Sequence, residues 1–369
     1  MDKVVKTHMG RKYVAIYQEL RQQLLDGSFH EGERLPTEKD FSEKYAVSRP
    51  TVTKALNALA SEGLISRKTG SGSYVQPQTK PVVPQLFGLL IPGLGRGEVF
   101  EPICAQIAAT AEKHDYSLLW SGFGKNERMH PLLSEAIARR YIDTGIAGVF
   151  FQPLELWPEY AEMNEKVIAM LEAAKIPVVL IDADYKAFPD RSPYDLIALD
   201  NVKAGYHAAQ HLISQGARRL DFFARPHSAD SVALRRRGYC AALYDSEIYA
   251  EPSWIHTGYP EDARFVQDLI QNKGAEDLIC ANDETAASLM STLHELKIAV
   301  PEEVRIVGFD DVRYSQHLKV SLTTIRQPCE ELGRSAVETM LWRLANPERP
   351  ARSILASGSL VVRQSSLRS

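Results

Sequence analysis

Two sets of polar residues in this chain have the types and spacing to bind something. The first lies between Ser48 and Gly63. Val52, Ala55, Leu56 and Leu59 recur at i, i+3, i+4 and i+7, the spacing of one apolar helix face. Pro50, Thr53, Lys54 and Asn57 then fall on the opposite face, with Arg49 at its start. A short, polar, partly cationic helix face has the chemistry to read a DNA major groove: hydrogen-bonding side chains for base edges and cations for phosphates. The same pattern also suits a small helical domain with solvated charges, or a helix-turn-helix that binds protein. The second set follows apolar runs. Gln152 follows VFF, Asp182 follows VVLI, Asn282 and Asp283 follow LICA, and Asp310 and Asp311 follow IVGF. Amides and carboxylates at strand ends can hydrogen-bond a polyhydroxylated ligand, and they can equally cap the next helix. Asp283 and Asp311 fit the cap role better. Asp182, Asn282 and Asp310 stay open between the two.

The elements that position the first set are readable one by one. Tyr13, Ile16, Tyr17, Leu20 and Leu24 predict a helix over about residues 11–26, with Gly27 as its stop. Thr37 can cap a second helix, with Asp40 three residues on in capping-box position. Ala46 and Val47 make a turn, and Ser48 caps the third helix. Gly63 ends it. Residues 64–67 read as a strand, KTGSGS as a tight turn, and Tyr74 and Val75 as a return strand. The result is a winged helix-turn-helix whose basic, glycine-rich hairpin can lie along a DNA backbone.

The second set needs a larger α/β body. Candidate strands start at Leu86, Tyr116, Ile146, Ile176, Arg219, Ser253, Glu276 and Glu303, roughly one βα unit apart. Their runs are continuously apolar rather than alternating, so both sheet faces are covered, as in doubly wound parallel sheets. So many strands predict two sheets in two lobes, with a ligand crevice beyond the strands' carboxyl ends. Between head and body, QPQTKPVVPQ carries three prolines and no helical periodicity, as an extended linker does. The expected organisation is a DNA-binding domain over 1–76, a linker over 77–85 and a two-lobed domain over 86–369.

Charge divides the chain in the same place. The whole carries 43 Lys or Arg against 47 Asp or Glu, a formal charge of −4. Residues 1–80 hold 13 basic and 9 acidic residues, so a basic head sits on an acidic body. Hydrophobic residues at 44% and charged residues at 24% exclude a disordered or collagen-like chain. No run approaches the ~20 apolar residues of a membrane-spanning helix. The first residues lack an apolar signal core, so a cytoplasmic location is expected. The four cysteines form no CxxC pair or metal spacing, and reduced thiols are expected. GFGK at Gly122 lacks P-loop spacing, and GLGRG at Gly93 lacks GxGxxG. No GxSxG or HExxH occurs. His207 and His211 are four apart on a helix, with no third metal ligand evident. No cofactor, metal or catalytic residue is therefore expected.

Residues 27–75 resemble the winged helix of GntR-family transcription regulators. The resemblance rests on G-x-x-x-x-G-E-R-L-P-T-E-K from Gly27, V-S-R-P-T-V-T-K-A-L from Val47, E-G-L-I from Glu62 and G-S-G-S-Y-V from Gly70. It implies DNA contacts at Lys39, Ser48, Arg49, Thr51 and the wing from Lys68 through Gly70 to Gly72. Thr53 stands where many members carry Arg, with Lys54 as its neighbour. Residues 86–364 resemble the effector domain of LacI-family regulators and periplasmic sugar-binding proteins. The motifs are IPVVLID from Ile176, LDNVKAGYHAAQHLISQGARRL from Leu199, RRRGYCAAL from Arg235, DLICANDETA from Asp277, IVGFDD from Ile306 and SLTTIRQP from Ser321. This resemblance implies ligand contacts at Asp182, Arg235, Asn282 and Asp310. It places Gln327 at an interlobe crossing and adds the loop from Pro92 to Phe100, with Phe100 as a stacking ring, and Tyr259. Ala183 stands where sugar-binding relatives often place Arg, and a proline-rich linker replaces the hinge helix. Together the resemblances imply a homodimeric, sugar-responsive repressor that binds operator DNA and releases it on binding its effector. An enzyme with a regulatory head, or a sugar-binding module acting through protein partners, are the other classes the body permits.

Overall fold

The structure is a computed structural model. It describes residues 2–25, 28–68, 70–76, 85–91, 94, 98–120, 131–156 and 158–368, with residues 2–12, 25, 131 and 132 as backbone. Most of the linker expected over 77–85, Thr69 of the wing, most of the loop from Pro92, and the GFGK stretch lie outside the described residues. The chain divides into two units, Met1–Val83 and Pro84–Ser369.

The first unit holds α1 (Asp2–Leu25), α2 (Glu38–Lys44), α3 (Arg49–Ser61) and an antiparallel hairpin of β1 (Ile65–Lys68) and β2 (Gly72–Val75). Helix α1 begins nine residues before the predicted start, through a stretch that contains no proline. Its apolar stripe of Ile16, Leu20 and Leu24 packs with Phe41, Val52, Leu56, Leu59, Ile65 and Val75 into one core. Thr37 and Asp40 form the expected reciprocal capping box. Ser48 occupies the N-cap position of α3, but its hydroxyl contacts Thr51 Oγ1 at 2.9 Å instead of a backbone N–H.

The second unit is two α/β lobes. The first lobe contains β3 (Gln85–Leu90), α4 (Phe100–Glu112), β4 (Tyr116–Trp120), α5 (Pro131–Thr144), β5 (Gly148–Phe151), α6 (Tyr160–Ala173), β6 (Val178–Ile181) and β7 (Asp195–Leu199). The second contains α7 (Asn201–Ser214), β8 (Asp221–Ala224), α8 (Asp230–Asp245), β9 (Ile255–Thr257), α9 (Ala263–Gln267), β10 (Asp277–Cys280), α10 (Asp283–Glu295), β11 (Arg305–Asp310) and β12 (Thr323–Arg326). The chain then returns to the first lobe as α11 (Cys329–Ala345) and β13 (Ser353–Ala356), and crosses once more into β14 (Ser359–Val361).

The first sheet runs β13-β7-β6-β5-β3-β4 and is parallel throughout. The second runs β14-β12-β11-β10-β8-β9, parallel except for β14, which pairs antiparallel with β12. Only two residues separate β13 from β14, so the crossing strand enters the second sheet at its edge without a crossover helix. Every position of β5, β6 and β10 is buried, as continuous apolar runs require.

Three crossings join the lobes, at residues 199–201, 326–329 and 356–359. They are packed tightly against one another. A Cβ on Gly358 would lie 2.9 Å from the Arg326 carbonyl oxygen and 3.0 Å from Leu199 Cδ1, so only glycine fits where the strands pass.

Candidate functional site

In the first unit, α3 turns Val52, Ala55, Leu56 and Leu59 inward. Arg49 and Pro50 are exposed, and Arg49 makes no ion pair among the described residues. The Thr53 hydroxyl donates to the Arg49 carbonyl at 3.0 Å. Lys54 is exposed but leans over the Tyr13 ring, 4.7 Å from its centroid. Lys39 pairs loosely with Glu43 at 3.8 Å, and Lys68 lies over the Tyr74 ring at 5.4 Å. Thr51 differs from the expectation of a DNA contact: it is only 7% exposed, turned inward beside Ser48. Arg67 reaches from β1 to Asn57 on α3 and Glu38 on α2, which fixes the wing's base to both helices.

Gly70 and Gly72 have φ of +75° and +130°, which makes them the residues that let the hairpin turn. A Cβ on Gly72 would lie 2.8 Å from Arg34 Nε. Arg34 is exposed, sits against the wing and makes no ion pair among the described residues. It is a cation that helical periodicity could not find, because it lies outside any helix.

In the second unit, several predicted residues meet where strand ends face the crossings. Arg235 is 4% exposed on α8. Its Nε donates to Asn201 Oδ1 at 2.9 Å, and its Nη1 donates to the Ala281 carbonyl at 2.6 Å. Its Nη2 lies 3.7 Å from Asp310 Oδ1, and the guanidinium stacks 4.8 Å from the Phe309 ring centroid. Gln327 Nε2 donates to the same Asp310 oxygen at 2.7 Å. The guanidinium is therefore held by Asn201 at the first crossing and by the Ala281 carbonyl after β10, and it faces the carboxylate that the Gln327 crossing also binds. Asp182 accepts a long bond from Ser231 Oγ at 3.5 Å. Burial pushes both Asp182 and Asp310 above the usual carboxylate range, with Arg235 opposing the shift in each. Both residues have left-handed φ, +73° and +115°, a strained backbone of the kind that collects at functional sites. Gln152 is 5% exposed at the end of β5, and its Oε1 has no partner among the described residues. A buried amide oxygen left without a donor favours a ligand or water donor.

The remaining expectations fare differently. Asn282, not Asp283, caps α10: its Oδ1 accepts from Thr285 N–H at 2.8 Å. Asp283 is fully buried and accepts from Val312 N–H at 3.1 Å and Thr324 Oγ at 2.6 Å, bracing the turn after β11. Asp311 is likewise no helix cap. It is held by Arg326 and Arg363, each at 2.6 Å. Phe100 opens α4 and packs half-buried on the first lobe's core. Tyr259 is 59% exposed beyond β9, and the structure joins neither ring to the Arg235 set by a hydrogen bond. His211 bonds Ser366 Oγ at 2.8 Å, and burial lowers its pKa. No group of three or more metal-ligating side chains occurs among the described residues.

Two residues near this set were not legible from strand ends. Glu155 lies three residues past Gln152, and its Oε2 accepts from Ala229 N–H at 3.0 Å. Burial pushes its carboxyl up to about 7, with Asp182 adding to the shift. Tyr314 follows Asp311 in a short 3-10 helix, Arg313–Gln316. Burial raises its phenol, as do the carboxylates of Asp283, Glu284, Asp310 and Glu98.

Comparison with known proteins bears on both units. Residues 12–75 match the profile described as bacterial regulatory proteins, gntR family, and residues 209–366 match that of a periplasmic binding protein-like domain. The chain is similar to the arabinose metabolism transcriptional repressor of Halalkalibacterium halodurans, 27% identical over 97% of each chain. It is also similar to the protein of the same name from Geobacillus stearothermophilus, 25% identical over 95% of each. Among solved structures, the transcription regulator CcpA of Lactococcus lactis superposes with a TM-score of 0.65 at 18% identity, covering 76% of this chain and 98% of that one. A match to gntR-family regulatory proteins in the first unit and a match to a periplasmic binding protein-like domain in the second thus lie in one chain.

Proposed function

We propose that this chain is a DNA-binding transcriptional repressor whose operator affinity is set by a sugar bound between the lobes of its body. The observation that carries the reading is the Arg235–Asp310–Gln327 set. It presents charge-assisted donors and acceptors at a lobe boundary, and the first lobe adds a buried Gln152 oxygen that has no partner among the described residues. Such directed polar groups suit vicinal hydroxyls, and the aromatic face of Phe309 is already used to hold Arg235 flat. The names of the two full-length relatives support arabinose as the first sugar to try.

In the head, Arg49, Pro50, Thr53 and the wing are the surface that meets DNA. Arg34 and Lys68 supply phosphate contacts. A single winged helix reads one half-site, so the working form is a homodimer on a two-fold operator. The relatives are regulators rather than enzymes, and the chain acts as a cytoplasmic regulator without turnover of its ligand.

The test pairs a ligand screen with a DNA measurement. Thermal unfolding is followed against arabinose, other monosaccharides, sugar phosphates and nucleobases. A true effector at about 100 times its Kd stabilises by roughly 2.7 kcal/mol. Binding to the chain's own upstream DNA is then measured against salt, with and without that effector, for the native chain and Arg49→Ala. The reading expects one sugar hit, salt-sensitive DNA binding that the sugar weakens, and loss of that binding in Arg49→Ala with the sugar response intact. Turnover of the sugar would assign an enzyme instead. DNA affinity indifferent to salt would assign a module acting through protein partners.

A further inference from the structure

The two lobes touch through a pair of short segments beside the Arg235 set. Leu156 N–H donates to the His227 carbonyl at 2.6 Å, and Ala229 N–H donates to Glu155 Oε2 at 3.0 Å. Residues 154–156 follow β5 in the first lobe, and residues 227–229 lead into α8 in the second. Leu156 and His227 both have left-handed backbone, with φ of 61° and 58°. Non-glycine residues hold that conformation only where the surroundings impose it. Ala229 has no side-chain oxygen with which to cap α8, so the acceptor at the head of this 16-residue helix comes from the other lobe. Behind the segment lies a cavity of about 190 Å3, lined in part by Phe222, Val232, Arg236 and Ile255. The segment therefore borders open space on that side, and the bonds to the first lobe add to the Ser228 Oγ–Arg225 carbonyl bond that ties it to its own lobe.

We propose that Glu155 is a positioning residue that clasps the head of α8 across the lobe boundary, so that closing the cleft and orienting Arg235 are one event. The inference rests on the cleft being the ligand site, because Arg235 is carried by the same helix. The charged groups facing Glu155 are Asp182 at the end of β6, Arg235 on α8 and Asp310 at the end of β11. Burial makes the clasped carboxyl easier to protonate than a solvated one, and Asp182 and Asp310 push the same way, against the Ala229 N–H and Arg235. With burial outweighing the opposing groups, the clasped carboxyl sits at about 7 against an ordinary 4.5. The clasped state therefore takes up a proton. Its advantage is complete below the ordinary value and is lost as pH rises through about 7. Between pH 6 and pH 8 the clasping equilibrium falls about tenfold.

Hydrogen exchange on the full chain tests this. Protection of the Leu156 and Ala229 amides, corrected for intrinsic rate, is compared at pH 6 and pH 8 for the native chain, Glu155→Gln and Glu155→Ala. The β5 amides serve as the control for folding. Glutamine keeps an acceptor for Ala229 N–H and removes the titration. The expected results are about tenfold lower protection at pH 8 in the native chain, protection indifferent to pH in Glu155→Gln, and loss at both pH values in Glu155→Ala with β5 unchanged. Arabinose titrations should show affinity at least about tenfold weaker in Glu155→Ala and largely restored in Glu155→Gln. Full Ala229 protection in Glu155→Ala would overturn the clasp, and an undiminished pH dependence in Glu155→Gln would overturn Glu155 as its titrating group. If arabinose binds none of the three proteins, the exchange data still decide the clasp, and the arabinose assignment alone falls.

Discussion

Asp310 is the residue on which the proposed ligand site turns. It receives Gln327 Nε2 from the crossing after β12 and faces Arg235 Nη2 from α8, while its own backbone is held at a φ of +115°. Removing its carboxylate leaves two buried donors without their acceptor and takes away the group best placed to receive a sugar hydroxyl. Asp310→Ala should therefore lose effector affinity by about 10- to 100-fold, the range of one charge-assisted bond. DNA binding should persist, giving a repressor that no longer responds. Calorimetric titration with the effector, alongside an operator-binding assay, reads both. Unchanged affinity would show that the ligand sits elsewhere. Much of this set is readable in the sequence, because a polar residue directly after an apolar run has to emerge at a strand's end. What the sequence cannot separate is a cap from a ligand contact. Asn282 and Asp283 are adjacent and chemically alike, and only the backbone of the folded turn assigns the cap to Asn282 and the brace to Asp283. Glu155 was beyond reach for another reason: its environment is made by Ala229, more than seventy residues away.

At the scale of elements, α7 and α8 approach until their backbones touch. A Cβ on Gly205 would lie 1.9 Å from the Arg235 carbonyl oxygen, and one on Gly238 would lie 1.8 Å from the Val202 carbonyl oxygen. Each helix thus has a glycine where the other's main chain passes. The contact sets the height of α8 and with it the position of Arg235, one turn before Gly238. Gly238→Ala has no flexible side chain to displace and must push the helices apart. The expected cost is about 1–3 kcal/mol of stability, or more, as for overpacked cores. Effector binding should weaken with it, because Arg235 moves off Asn201 and Ala281. Chemical denaturation and an effector titration of this variant make the comparison, and an unshifted midpoint would contradict the close approach.

The glycines of this crossing stand in plain view in the sequence, but a helix glycine does not say what it faces. Strands show the same limit. The eight apolar runs all became strands, whereas β7, β12, β13 and β14 did not stand out by composition. β12 is rich in threonine, and β13 and β14 are partly exposed edge strands of three or four residues. Their pairing comes from neighbours already in place, which local periodicity does not record.

For the whole molecule, the decisive quantity is the coupling between effector and DNA. The head and the body are separate compact units, each with its own core. The proposed sugar site belongs to the body and the proposed DNA surface to the head, so the proposed influence is a change of state of the body that the head senses. Linkage then imposes equality. If the effector lowers operator affinity by some factor, operator DNA must lower effector affinity by the same factor. Regulatory couplings of about 1–3 kcal/mol correspond to factors of about 5 to 150. The effector should therefore bind 5- to 150-fold more weakly to the DNA-saturated protein than to the free protein, with the same factor recovered from operator titrations at saturating effector. The salt concentration must be held fixed throughout, because phosphate contacts make DNA affinity steeply dependent on it. A factor of one in both directions would mean that the body binds its ligand without informing the head. Unequal factors would show that a further species, such as a change in the dimer, enters the cycle and has to be measured with it.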